Sequence, residues 1–151
     1  MTPDWRLASF LPYQLSIASN AVSDLIAERY RKRFGLKVPE WRVMAVLGDG
    51  ENGAATQQAL TRITLMDKVA VNRACKVLEA RGLVQRVPNE RDGRSHLLEL
   101  TKEGRAIHRE VMPLALATER DLFDGLKPTE REQLRGLLAR IHARAGELSQ
   151  S

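Results

Sequence analysis

Gly82 divides two patterns that cannot belong to one element. Before it, Val71, Ala74, Cys75 and Leu78 fall at i, i+3, i+4 and i+7, a single apolar stripe at helical spacing. After it come two short apolar runs, 83–88 and 95–101, separated by Asn89-Glu90-Arg91-Asp92-Gly93-Arg94. The spacing predicts a helix over 65–81 and two strands folded over a charged loop. Thr64, with Asp67 three residues later, fits a capping box at the helix start. Gly82 suits the left-handed position just past its end.

The face of this helix away from the stripe carries Lys68, Val69, Asn72, Arg73 and Lys76. Arg and Lys reach phosphates or guanine edges, Asn reads adenine, and a small apolar group touches a thymine methyl. Asn72 and Val69 are therefore expected base readers, Arg73 a phosphate or base contact, and Lys68 and Lys76 phosphate contacts. Arg73 lies six residues from Glu79, the wrong spacing for an intrahelical pair. Lys76 lies three from Glu79, a pair worth only about 0.2–0.5 kcal/mol, which leaves it free for phosphate. In the loop, Arg91 and Arg94 flank Asp92, and no large apolar residue offers the tip a core. An arginine held out on a thin hairpin fits a narrow minor groove. Arg94 is the expected minor-groove residue, with Arg91 the alternative. Asp92 is expected to orient the guanidinium through a bidentate bond.

The charge balance agrees with a polyanionic partner. The chain has 151 residues and a net charge of +5, with a pI near 9.8. Residues 62–105 hold ten Lys/Arg against six Asp/Glu, so most of the excess sits on the helix and hairpin. One cysteine excludes an intramolecular disulfide and a multi-cysteine metal site. His96, His108 and His142 fall on different elements with no ligand spacing, so neither metal nor cofactor is expected. No nucleophile motif such as G-x-S-x-G is present, which argues against an enzyme and leaves no catalytic residues to name. The N-terminus has no basic stretch before an apolar run of about 7–15 residues, as a signal peptide would. No apolar run approaches the roughly 20 residues of a membrane span. A cytoplasmic protein with no membrane partner is expected.

The remaining elements read as helices. Pro12 opens one over 13–34, with Leu15, Ala18, Val22, Leu25 and Ile26 on its apolar face and Gly35 closing it. Its last turn is basic, matching the negative end of the helix dipole. Pro39 opens a second over 40–47, followed by a loop over 48–53 whose lone G-x-G has no strand or helix start to support a phosphate site. Thr56 caps a third over 57–63, and Thr64-Leu65-Met66 turns the chain into the helix before Gly82. Two helices joined by such a turn, the second basic on its outer face, form a helix-turn-helix, and the two strands form its wing. Thr101 caps a long helix from 102 to about 125, with Pro113 inside it. The last helix, about 129–147, carries Leu134, Leu137, Leu138, Ile141, Ala145 and Leu148 as a near-heptad stripe. Few other segments remain to bury that stripe, so a partner subunit is the simplest answer. The fold class is mainly α with a small β-hairpin wing.

Asp67-Lys68, Val71, Arg73, Leu78-Glu79, Gly82-Leu83-Val84, Arg86, Arg91-Asp92-Gly93-Arg94, Leu100-Thr101 and Gly104-Arg105 closely resemble the MarR family of bacterial transcription regulators. The match extends upstream through Pro39-Glu40-Trp41-Arg42-Val43. The resemblance implies a single MarR-type domain over 1–151, a homodimeric winged helix-turn-helix protein. It implies dimerisation helices at 1–35 and 102–151 and a DNA-binding part at 36–101. It also implies that the helix enters the major groove and the wing the minor groove. Gly93 stands where many members carry a further Arg, which removes a wing contact. Lys127 stands where a Ser or Thr often caps the last helix, a loss of about 1 kcal/mol. The sensing cysteine of oxidant-responsive members lies in the first helix, where this chain has none. Cys75, on the apolar stripe, reads as core.

The expected function is a sequence-specific DNA-binding regulator, a repressor released by a small effector. A dimer would set two reading helices about 34 Å apart on a pseudo-palindromic operator in double-stranded DNA. Family members usually bind a small, often aromatic and anionic, effector where the winged part meets the dimer helices. An aromatic carboxylate is the expected ligand class, with Asn20, Arg42 and His108 lining its site. Two other classes of function stay open: a nonspecific architectural DNA binder, with a steep salt slope but little sequence preference, and a helical dimer that docks proteins.

Overall fold

The computed structural model describes residues 5–49 and 53–150. The chain forms two compact units, 1–115 and 116–151. In the first, a short 3-10 turn, Leu7–Ser9, leads into α1, Leu11–Phe34. Then follow α2, Val38–Leu47; β1, Ala54–Ala55; α3, Gln57–Thr64; and α4, Lys68–Ala80. The hairpin β2, Val84–Pro88, and β3, His96–Leu100, comes next. Helix α5, Lys102–Phe123, runs on through Pro113, and α6, Pro128–Ser149, ends the chain. Of the loop expected over 48–53, positions 50–52 lie outside the described residues.

The wing is a three-stranded antiparallel sheet in the order β1-β3-β2, not a bare hairpin. Ala54 pairs with Glu99 and Ala55 with Leu98 on the outer edge of β3. On the other side β2 and β3 run in full register from Val84–Leu100 to Pro88–His96.

The helix-turn boundary differs from the expectation. Thr64 does not cap α4; it closes α3, its hydroxyl donating to the Leu60 carbonyl at 2.6 Å. Leu65 then adopts a left-handed conformation (φ 58°), turning the chain within one residue. Asp67 is the true N-cap, accepting the Ala70 N–H at 2.8 Å. The start of α4 therefore lies three residues later than the spacing suggests. Its end is as expected. Gly82 is left-handed (φ 73°), and the Leu83 and Gly82 N–H groups donate to Leu78 and Glu79 carbonyls, a Schellman ending. Thr56 caps α3 through the Ala59 N–H at 3.0 Å.

The core of the first unit sits beneath α4. Val71, Ala74, Cys75 and Leu78 pack with Leu36, Val43, Met44, Leu60, Leu98 and Leu100. Two ties fix α4 to its surroundings. Arg81 donates to the Phe34 and Gly35 carbonyls at 2.9 and 3.2 Å, closing the C-terminal end of α1. Thr101 donates its hydroxyl to the Gly82 carbonyl at 2.6 Å and accepts the Gly104 N–H at 3.0 Å. It thus caps α5 and pins the root of the hairpin. Gly104 sits so close there that a β-carbon would overlap the Leu83 carbonyl oxygen.

The second unit holds the end of α5 and all of α6. Arg131 donates through Nε and Nη2 to the Phe123 carbonyl, closing the turn between them. No residue of α6 is buried.

Candidate nucleic-acid interface

Helix α4 is divided lengthwise by burial. Its stripe of Val71, Ala74, Cys75 and Leu78 is sealed. Val69, Asn72, Arg73 and Lys76 share the other side at the same helical spacing. Val69, Arg73 and Lys76 are exposed, as is Lys68 in the first turn, while Asn72 is half-buried. Val69 is an apolar side chain left 65% exposed between cations, a surface with room for a thymine methyl. The Asp67 cap fixes the helix end that presents them.

The wing loop is ordered by its own polar groups. Asn89 donates to the Ser95 hydroxyl at 2.9 Å, and its carbonyl side accepts the Arg91 N–H at 3.1 Å. Asp92 accepts the backbone N–H of Arg94 at 3.0 Å. The carboxylate expected to hold a guanidinium instead shapes the turn, because the Asx geometry reaches the amide two residues on first. Arg91 and Arg94 are exposed, and among the described residues neither is ion-paired. The loop thus presents two unpartnered guanidinium groups on a fixed backbone.

Glu79 is not engaged by Lys76. It meets Arg86 of β2 at 2.9 Å, a contact that joins the last turn of α4 to the wing. Cys75 lies one turn earlier, fully buried. Burial pushes its thiol up to about 11, the Glu79 charge adds to this, and Arg86 opposes it. The thiol stays protonated and inert.

Of the three expected effector residues, one lines a described cleft. Asn20 and Arg42 are exposed on α1 and α2. His108 on α5 is half-buried; its ring stacks on Trp41 (centroids 6.1 Å, 27° between planes), and Trp41 meets Tyr30 edge-on at 5.3 Å. Burial holds the imidazole below its ordinary value and therefore neutral at pH 7. His108 lies in a cleft of about 340 Å³ whose described lining includes Leu47, Gly48, Arg105 and Arg109, and neither Asn20 nor Arg42. Sequence reasoning missed Arg105 and Arg109. Their spacing around His108 (i−3 and i+1) was a signal only once the helix was placed beside Gly48. Among the described residues no cluster of His, Cys, Asp and Glu could hold a metal ion, and no helix is long and apolar enough to cross a membrane.

The sequence pattern of the MarR family matches residues 34–95. A crystal structure of the MarR family transcriptional regulator SPO1453 from Silicibacter pomeroyi DSS-3 is 31% identical. That match spans 94% of this chain and 99% of the other, with a TM-score of 0.77. The transcriptional repressor MprA of Escherichia coli (strain K12) is 25% identical over 145 residues, 92% of this chain and 82% of that protein. The structure of Bordetella bronchiseptica BpsR, whose DNA binding is regulated by 6-hydroxynicotinic acid, shares the fold at 24% identity. It spans 91% of this chain and 96% of that one, with a TM-score of 0.83.

Proposed function

This chain belongs to the MarR family of DNA-binding transcriptional regulators, and from that premise we propose that it is a ligand-released repressor acting as a homodimer on a pseudo-palindromic operator. The observation that carries this is the two-sided α4. One side is sealed against the core, and the other presents Val69, Asn72, Arg73 and Lys76 beside a wing with two unpaired arginines. Lys68, Arg73 and Lys76 bind phosphate or guanine, Asn72 and Val69 read bases, and Arg94 or Arg91 enters the minor groove. Asp92 serves them by fixing the loop. Residues 36–101 do the reading, and the helices over 1–35 and 102–151 make the dimer. The exposed Leu137, Leu138, Ile141 and Leu148 of α6 support that arrangement.

The effector is an aromatic carboxylate, seated in the cleft at His108. Arg105 and Arg109 supply the charge for a carboxylate, outnumbering Asp49 in the described lining, and the His108 ring, backed by Trp41, offers an aromatic surface. The regulation of BpsR by 6-hydroxynicotinic acid, itself an aromatic carboxylate, supports the ligand class. Asn20 and Arg42 lie outside this cleft. The ligand acts only by preferring the dimer geometry that does not fit DNA.

The test is DNA binding by the purified chain to its own upstream region, against unrelated competitor DNA at two salt concentrations. Tight, competitor-resistant binding is expected, and Arg94→Ala should weaken it by about 1–3 kcal/mol. Equal binding to all DNA would replace the specific repressor with an architectural role. Calorimetric titration with a panel of aromatic acids then tests the effector; no heat from any of them would remove that part.

A further inference from the structure

A polar groove runs between α4 and the wing, walled by Gln57, Asn72, Asp92, Arg94, His96 and Arg86. Five of these fall on the reading helix, its neighbour or the wing beyond the sheet's buried root. Arg86 stands apart, because it belongs to the face of β2 that begins as core. Val84 opposes Leu100 and Arg86 opposes Leu98, both partners buried, whereas the next pair, Pro88 and His96, is exposed. Arg86 therefore marks the place where the inner face of the hairpin passes from core to groove. Its Nη2 meets Oε1 of Glu79 at 2.9 Å, with the two side chains 37% and 30% exposed. A guanidinium has five N–H donors, and one carboxylate contact leaves others directed elsewhere.

We propose that Arg86, held by Glu79, is a phosphate-binding residue lining the groove between the reading helix and the wing. This rests on the reading in which α4 lies in a major groove and the wing in the adjacent minor groove. The sugar–phosphate strand dividing two such grooves must cross the space between the elements that enter them, and that space is the one Arg86 lines. Tethering at one edge pre-organises the side chain, so less rotamer freedom is lost when a phosphate arrives. Glu79 is the positioning residue: it faces the guanidinium from α4. Asp92, the one acid in the described lining of the groove, is already turned to the Arg94 amide.

A strut and a phosphate seat separate on the salt slope. Anisotropy titrations would use a labelled duplex from the chain's own upstream region at several salt concentrations. Each phosphate contact contributes about 0.9 to the slope of log K against log salt. The Glu79→Gln/Arg86→Gln double variant keeps the net charge and leaves no lone half-buried ion, so it is expected to fold. Its slope should fall by about one per protomer, while Glu79→Gln alone keeps the wild-type slope with weaker binding. An unchanged slope in the folded double variant would reduce the pair to a strut and overturn the proposal. With the wild-type protein, single neutral methylphosphonate substitutions give a second readout. Loss of affinity is expected at a phosphate between the major- and minor-groove contacts, and no loss at any such position would overturn the proposal as well. Failure of the wild-type chain to bind the duplex at any salt would instead overturn the DNA reading of α4 and the wing, and this inference with it.

Discussion

Helices α4 and α6 carry the same kind of apolar spacing and meet opposite fates. In α4 the four stripe residues are buried. In α6 none is, and Leu137, Leu138, Ile141 and Leu148 stay 43–56% exposed. Their ends differ in the same sense. Asp67 caps α4 and a Schellman ending closes it. Helix α6 begins behind Lys127, which has no side-chain oxygen to offer, so only Glu130 reaches back to the Lys127 N–H at 2.8 Å. Spacing thus reports that a helix has an apolar side, not where the surface that will cover it lies. For α4 the cover is in the same chain; for α6 we propose that it is a second copy.

Substitutions can break that contrast. Leu78→Ala should remove about 2–5 kcal/mol of folding stability, read by urea or thermal unfolding. A small loss would mean that the α4 stripe is less well packed than it is buried. Ile141→Asp should leave the first unit folded but weaken self-association by about 1–3 kcal/mol, because the interface would bury an unpaired carboxylate. Light scattering would report the fall in mass, and a dimer untouched by this change would put the second copy elsewhere. Asp67→Ala should cost about 1 kcal/mol through loss of the cap. Lys127→Asp should do the reverse at α6, adding roughly 0.5 kcal/mol by supplying an acceptor at a helix N-terminus. Equal and negligible effects at the two caps would erase the difference between the helix starts.

What the sequence revealed follows the range of each interaction. The α4 stripe, the stop at Gly82, the Thr56 and Thr101 caps and the wing loop all depend on neighbours within a few residues, and all were legible. The cap of α4 was misplaced because Thr64 and Asp67 are both good capping residues. The choice between them was made by Leu65 turning left-handed, which leucine seldom does. Strand β1 was hidden: two alanines show no alternation, and their partners Glu99 and Leu98 lie more than forty residues on. Glu79 was offered to Lys76 by helical spacing but went to Arg86, which only the packed hairpin brings near. Of Asn20, Arg42 and His108, only His108 lines the described cleft, and Arg105 and Arg109 join it only because α5 lies beside Gly48.

The close seam at Gly104 has a consequence for descent. Any larger residue there would drive a side chain into the Leu83 carbonyl, and that strand end cannot retreat without unpicking the hairpin. The outward residues of α4 touch nothing comparable. On the proposed reading of α4, drift can exchange Val69, Asn72 or Arg73 singly and so try new operators, while Gly104 keeps its close seam with the root of the wing. A lineage built on this chain can change its vocabulary without losing its grammar.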